Sequence, residues 1–464
     1  MKNYSLKPTE ENVLELLRTN PIQRNPYVFR FAEMLSHMED DCYSIALNGD
    51  WGSGKTFFVK QVKLLLDAAN PQSGMPKETR RLIEAQIQTA AWPESYVTVY
   101  YDAWSYDNHD DPILSLIYAT LQNGQGLDLS SNSGIRILNA ATAVFDAVTG
   151  ENLTALMNGL KGLRSEDKLS AIKKNEDLKE KIREFINLLI EEHGNRLVFF
   201  IDELDRCKPD YAIRFLERIK HYFDDERITF VFSVNLTQLQ WTVRSYYGNG
   251  FDATKYIDKF FDLQISIPRT NSDSFLRDRL HIGTDTVSTM VCHEVVRQFD
   301  FSLRQAERYA RLIKIVATQF DRYDNIREEN MAAIFAANYL VPFLIGLQMY
   351  DLKLYHEFLA GTNPGPMLSI LANIVVMGCP PFLRRGEEFR PETKEIRAEN
   401  GETIPVAERL RVIYDALYGR ADIWNGRDLT VGQMRFTDRT RAYIDIIVMT
   451  DGVEQTLNDR SSSA

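Results

Sequence analysis

The apolar positions along this chain change period several times, and each change marks an element. Val13 to Leu17 and Tyr27 to Met38 carry helical apolar spacing, separated by the irregular connector Asn20 to Pro26. Tyr43 to Asn48 is a strand-like run, and Phe57 to Ala68 returns to a helical period. Lys77 to Ala91 reads as a helix of mixed charge, and Tyr96 to Tyr101, β-branched and aromatic, as a strand. Pro112 to Leu121, Ile135 to Val148 and Leu169 to Glu192 are helical again. Leu197 to Ile201 and Ile228 to Val234 are uninterrupted apolar runs, the pattern of strands at the centre of a parallel sheet covered on both faces. Leu263 to Ile267 alternates and stops at Pro268. From Ser272 onward the pattern is mostly helical. The alternation of strands and helices predicts an α/β fold with a parallel sheet, followed by a helical region.

Polar residues gather where these strands end. After the first strand comes Gly49-Asp50-Trp51-Gly52-Ser53-Gly54-Lys55-Thr56, with Phe57 opening the next helix. This is G-x-x-x-x-G-K-[ST] between a strand and a helix, the context a phosphate-binding loop requires. The glycines let the backbone aim several N–H groups at one anion, and the helix adds the positive end of its dipole. Lys55 is expected on the β- and γ-phosphates and Thr56 on Mg2+. The apolar run to Ile201 ends in Asp202-Glu203, a Walker B pattern. Asp202 is expected to hold Mg2+ through water, and Glu203 to orient and polarise an attacking water. Asn235 ends the next strand, where a polar group can sense the γ-phosphate.

Arg214 and Arg218 lie four residues apart on one predicted helix face. Arg218 is a candidate arginine finger acting on a neighbouring subunit, which would require a homo-oligomer; surface pairing with Glu217 or Asp224 is the alternative. Ser302 can cap a helix whose first turn carries Arg304, so Arg304 or Arg308 is a candidate lid arginine for the nucleotide. Asp102, Asp107, Trp104 and Tyr106 follow the strand at 96–101; capping suits the acids, with a role near Mg2+ or its water as the alternative, and the aromatics read as core or wedge residues. That strand lies between the two Walker motifs. It predicts the additional-strand type of P-loop NTPase, with a helical insertion at about 123–192 and a mostly α-helical C-terminal region. The expected boundaries are 1–42 for an N-terminal helical segment, 43–270 for the core, 271–330 for a lid and 331–464 for a C-terminal helical domain.

Composition narrows the partners. The chain has 464 residues, 44% hydrophobic and 26% charged, with a formal net charge of −11, which argues against a strongly electrostatic nucleic-acid binder. Arg384 to Arg397 and Arg427 to Arg441 are locally basic but interleaved with acids. Cys42, Cys207, Cys292 and Cys379 are scattered without CxxC spacing, as in a reducing compartment and without a zinc pattern. The first residues lack the apolar core of a signal peptide. Ala332 to Tyr350 is uncharged and about long enough to span a bilayer, yet holds Asn338, Pro342, Gly346 and Gln348. A pair of buried helices broken near Pro342 is the preferred reading. A cytoplasmic protein is expected, with membrane association at most peripheral.

Four segments together resemble a known family, the KAP P-loop NTPases. They are LNGDWGSGKT (47–56), YYDAWSYD (100–107), VFFIDELDRCKPDYAIRFLERIKHYFD (198–224) and YIDKFFDLQISIP (256–268). The likeness extends over about residues 20–315. It departs from the family at Asn235-Leu236, where many members carry an acidic-basic pair, and in an insertion that is not a membrane span. The resemblance implies a soluble bacterial version that binds and hydrolyses ATP with Mg2+. The implied role is a conformational or assembly switch with a protein effector, in anti-phage defence or signalling. A slow-hydrolysing scaffold that recruits an effector and a nucleic-acid-stimulated ATPase are the alternatives.

Overall fold

The computed structural model describes residues 7–38, 42–85, 95–123, 130–149, 170–268, 287–321, 331–374 and 402–418, with short pieces at 388–397, 429–437 and 444. The second half of the Lys77 to Ala91 stretch, part of the insertion, most of the two basic stretches and the tail lie outside the described residues. The chain divides into two compact units, Met1–Thr270 and Asn271–Ala464.

The first unit is built on five parallel strands: β1 (Tyr43–Asn48), β2 (Tyr96–Asp102), β3 (Arg196–Asp202), β4 (Ile228–Val234) and β5 (Leu263–Ser266). Their order across the sheet is β2-β3-β4-β1-β5. Every residue of β3 and β4 is buried, as the unbroken apolar runs require. Side chains alternate between two faces and feed two cores. Val198, Phe200 and Val231 join one core with Ile45 and Leu47, under helices α1 (Glu10–Thr19), α2 (Asn25–Ser36) and α3 (Lys55–Ala69). Leu197, Phe199, Ile201, Phe230 and Phe232 join the other. That second face is covered by α5 (Pro112–Asn123), α6 (Asn132–Thr149), α7 (Ser170–His193), α8 (Pro209–Tyr222) and α9 (Leu236–Tyr247); α4 (Lys77–Glu84) lies beside α3. Phe199 and Phe230 stack across the β3–β4 pair with ring centres 5.0 Å apart. The insertion contains α6 and α7, which fall between β2 and β3 in chain order and pack on each other.

The parallel register sets the polar ends in one row. Asp102 pairs with Asp202 and Asp202 with Ser233, while Asn48 pairs with Val234. Asp102, Asp202 and Ser233 therefore emerge at one edge, the carboxyl ends of the strands. Trp104 is 53% exposed and so is not the core residue expected of it. Its neighbour Tyr106 is half-buried and stacks on Tyr101. Asp102 does cap the short turn Ala103–Tyr106, accepting from the Ser105 N–H.

The second unit is helical: α10 (Val287–Gln298), α11 (Leu303–Asp321), α12 (Met331–Phe335), α13 (Val341–Tyr350), α14 (Leu352–Leu359), α15 (Gly365–Ile374) and α16 (Val406–Tyr418). Ser302 and Gln305 form a reciprocal cap at the start of α11. The expected break at Pro342 takes another form. A π-helical turn, Ala336–Leu340, joins α12 to α13 just before the proline, and the Tyr309 hydroxyl donates to the Pro342 carbonyl. The run Ala332–Tyr350 is long and apolar enough to cross a bilayer, but 72% of it is buried, as in a core helix. Two antiparallel pieces were not foreseen: Glu388–Arg390 with Glu395–Arg397 and Thr403–Pro405, and Leu429–Val431 with Met434–Phe436. Each strand is three residues, too short for a period to show.

Gly346 lets α13 lie against α10, because a Cβ there would come within 2.2 Å of the Val295 side chain. Gly346→Ala is expected to destabilise this unit by about 1–3 kcal/mol despite alanine's better helix propensity. Chemical denaturation would check it; an unchanged or higher midpoint would count against close packing here.

Candidate functional site

The loop 49–54 leaves β1 and enters α3. Its turn needs left-handed backbone at Gly52 (φ 82°) and Gly54 (φ 85°), the latter standing just before the helix. A Cβ at Gly49 would meet the Ser53 hydroxyl at 2.9 Å and the Lys55 stem at 3.4 Å. Lys55 is buried, and its ammonium donates to the carbonyls of Gly49 (2.6 Å) and Asp50 (3.2 Å). Burial pushes the Lys55 pKa down, while Asp205, Asp202 and Glu203 pull it back up. Phe57 is half-buried against the core beneath α3.

Asp202 ends β3 fully inside the protein. Burial raises its pKa, offset by the Thr56 hydroxyl among other donors and by Lys55. Tyr100, on the neighbouring strand, donates its hydroxyl to Asp202 Oδ2 at 2.9 Å. The Lys60 ammonium lies 4.4 Å from the centre of the Tyr100 ring, a cation–π contact that seats the ring. Thr56 and Asp202 thus meet although they are distant in sequence.

Glu203 takes a left-handed backbone (φ 61°) and turns the chain off the strand. Burial, with the negative charge of Asp202 next to it, raises its pKa to about 7. Its carboxylate is ion-paired with Arg206, in the short turn Leu204–Arg206. Asn235 caps α9 by accepting from the Gln238 N–H, and its amide donates to Asp50 Oδ1 at 3.3 Å. It therefore lies beside the phosphate loop, as a sensing residue would.

One expected residue stands apart from this cluster. Arg218, on α8, is paired with Asp111 of its own chain at 3.0 Å, and its guanidinium rests over the Tyr222 ring. Arg304 lies in the first turn of α11, in the other unit, and its place relative to the loop is a matter for proposal.

Three contributors escaped the sequence. Arg24 is only 3% exposed and donates to the carbonyls of Ser53 (2.8 Å) and Pro268 (2.9 Å), joining the loop to the end of β5. Burial alone pushes its pKa down to about 10. It comes from the irregular connector before α2, where spacing carries no signal. Tyr100 was legible only as a strand residue. Arg206 was visible only within the family-like Leu-Asp-Arg segment.

The residues present fit a nucleotide and its metal. The Ser53 hydroxyl and Asp205 Oδ1 are buried without hydrogen-bond partners beside the loop, which a bound polar group would satisfy. Ser53 and the loop amides suit phosphate, and Thr56 with Asp202 would suit Mg2+.

Sheet order, loop and paired acids define a P-loop NTPase of the additional-strand type. Residues 24–281 match the KAP family P-loop domain, and the chain belongs to that family. No curated protein matches it. Among solved structures it is similar to the ORC2 protein of Aeropyrum pernix, described as ADPNP-ADP complexes. The identity is 13% over 97% of this chain and 88% of the other, with a TM-score of 0.32.

Tyr100→Phe removes one donor to Asp202 and leaves the ring in place. It is expected to raise the Mn2+ concentration for half-saturation of the ADP complex by about tenfold. Electron paramagnetic resonance of free Mn2+ reads this directly; an unchanged midpoint would remove Tyr100 from the metal site.

Proposed function

We propose that this protein binds ATP with Mg2+ and hydrolyses it, using the reaction as a conformational or assembly switch. The observation that carries the reading is the convergence of Lys55, Thr56, Asp202 and Glu203 at one edge of the sheet. Mg2+, when bound, offsets phosphate charge. The chain's own residues do the rest. Lys55 exchanges its loop carbonyls for phosphate oxygens, and the amides of Gly49, Asp50, Trp51, Gly52, Ser53 and Gly54 bind the anion. Thr56 and Asp202 hold the metal. Glu203 orients and polarises the attacking water. Asn235, through Asp50, links the loop to α9.

ATP is favoured over GTP because no Asn-Lys-x-Asp segment follows the loop in the sequence. A homo-oligomer is part of this reading, with Arg218 or a lid arginine such as Arg304 reaching a nucleotide. Arg218 would first have to leave Asp111. The switch would act on a protein effector.

Glu203→Gln should lower ATP turnover by about a hundredfold or more while ATP still binds. Phosphate release and filter-binding assays measure the two properties separately. Wild-type turnover in that variant would instead favour a slow-hydrolysing scaffold. Light scattering coupled to size-exclusion chromatography, with and without ATP and Mg2+, should show a larger species with nucleotide. A monomer in both runs would eliminate an arginine supplied in trans.

A further inference from the structure

Glu203 is the residue whose placement most needs explaining. It follows the last residue of β3 on a left-handed backbone, and its N–H donates to Asp202 Oδ1 at 3.0 Å. Those restraints fix the main chain and leave a flexible side chain. The carboxylate is fixed through its Oε2 by Arg206, three residues on. The Arg206 N–H donates to the Glu203 carbonyl at 3.0 Å, so the turn itself brings the two residues together.

An isolated pair of this kind holds geometry poorly, because two long side chains must be ordered for a small gain. Here the guanidinium is ordered by something else. It lies 5.8 Å from the Trp51 ring centre and 5.5 Å from the Trp104 ring centre. Both distances fall within cation–π range. Trp51 belongs to the phosphate loop, and its indole N–H donates to Asp205 Oδ2 at 2.7 Å. Trp104 belongs to the turn after β2. The two indoles are 47% and 53% exposed, so core packing does not account for them. Their shared contact is Arg206.

We propose that Arg206 is the positioning residue for Glu203, and that Trp51 and Trp104 hold its guanidinium so that the phosphate loop itself sets where the carboxylate points. The inference rests on the reading of Glu203 as the residue that orients the attacking water. It assigns the loop tryptophan a task beyond spacing the glycines. A planar guanidinium can stack while it pairs, and an ammonium cannot do so in the same way.

The test compares Arg206→Ala, Arg206→Lys and Trp104→Leu in the full chain, with Glu203→Gln and the double variant Arg206→Ala/Glu203→Gln alongside. Thermal melts confirm that each folds. Arg206→Ala is expected to lower kcat by about tenfold or more, with the Kd for ATP changed less than about threefold. Arg206→Lys should recover less than half of the lost rate, and Trp104→Leu should fall between wild type and Arg206→Ala. The double variant should be no slower than Glu203→Gln, since Arg206 acts through Glu203. Unchanged or increased kcat in folded Arg206→Ala, or full recovery with lysine, would overturn the proposal. So would an additional loss in the double variant. Wild-type turnover in Glu203→Gln would instead bring down the reading of Glu203, so the two failures are distinguishable.

Discussion

Burial of the central strands on both faces is the constraint from which the rest follows. β3 and β4 bury every residue, so most of their length is apolar. Polar chemistry is displaced to the carboxyl edge, where the parallel register lines up Asp102, Asp202 and Ser233. Asp202 sits at the boundary and is itself fully buried. A carboxylate in that position requires donors, and the protein supplies hydroxyls from Thr56 and Tyr100 with the cation of Lys55 close by. The same groups that make burial tolerable are those that suit a metal and a phosphate.

The loop is shaped by more than its glycines. Arg24 grips the Ser53 carbonyl from one side, Asn235 meets Asp50 from another, and Asp205 takes the Trp51 indole N–H. Each grip comes from a different element, so the loop is pre-formed by the surrounding fold. Pre-formation matters for anion binding, because a loop already ordered loses less entropy on binding. Arg24 carries the heaviest desolvation of these, with its pKa pushed down to about 10, and its two carbonyl bonds offset that cost.

The second unit follows a different logic. Its core is assembled from helices whose apolar faces meet around Val291, Tyr309, Phe335 and Phe343. Pro342 has no N–H to donate, and the chain meets this with a π-helical turn directly upstream. The Tyr309 hydroxyl satisfies the proline carbonyl inside the core. By length and composition this run passes for a membrane span, while in the fold 72% of it is buried inside the protein.

What the sequence determined by itself was whatever depends on local spacing. The pattern of apolar residues marked the five strands and most helices, because the central strands are buried along their whole length and the helices along one face. Gly49 to Thr56 and Asp202-Glu203 were legible because a phosphate loop and a strand-end acid pair are short contiguous patterns. What only the tertiary structure decided was which distant residues complete them. Arg24 comes from a connector without periodicity, and Tyr100 reads as any strand aromatic until its hydroxyl is seen on Asp202. Trp104 reads from the sequence as a core or wedge residue, yet it is exposed and lies within cation–π range of Arg206. Such pairings arise from the crossing of β2, β3 and the loop at one sheet edge, and chain order carries no record of that proximity.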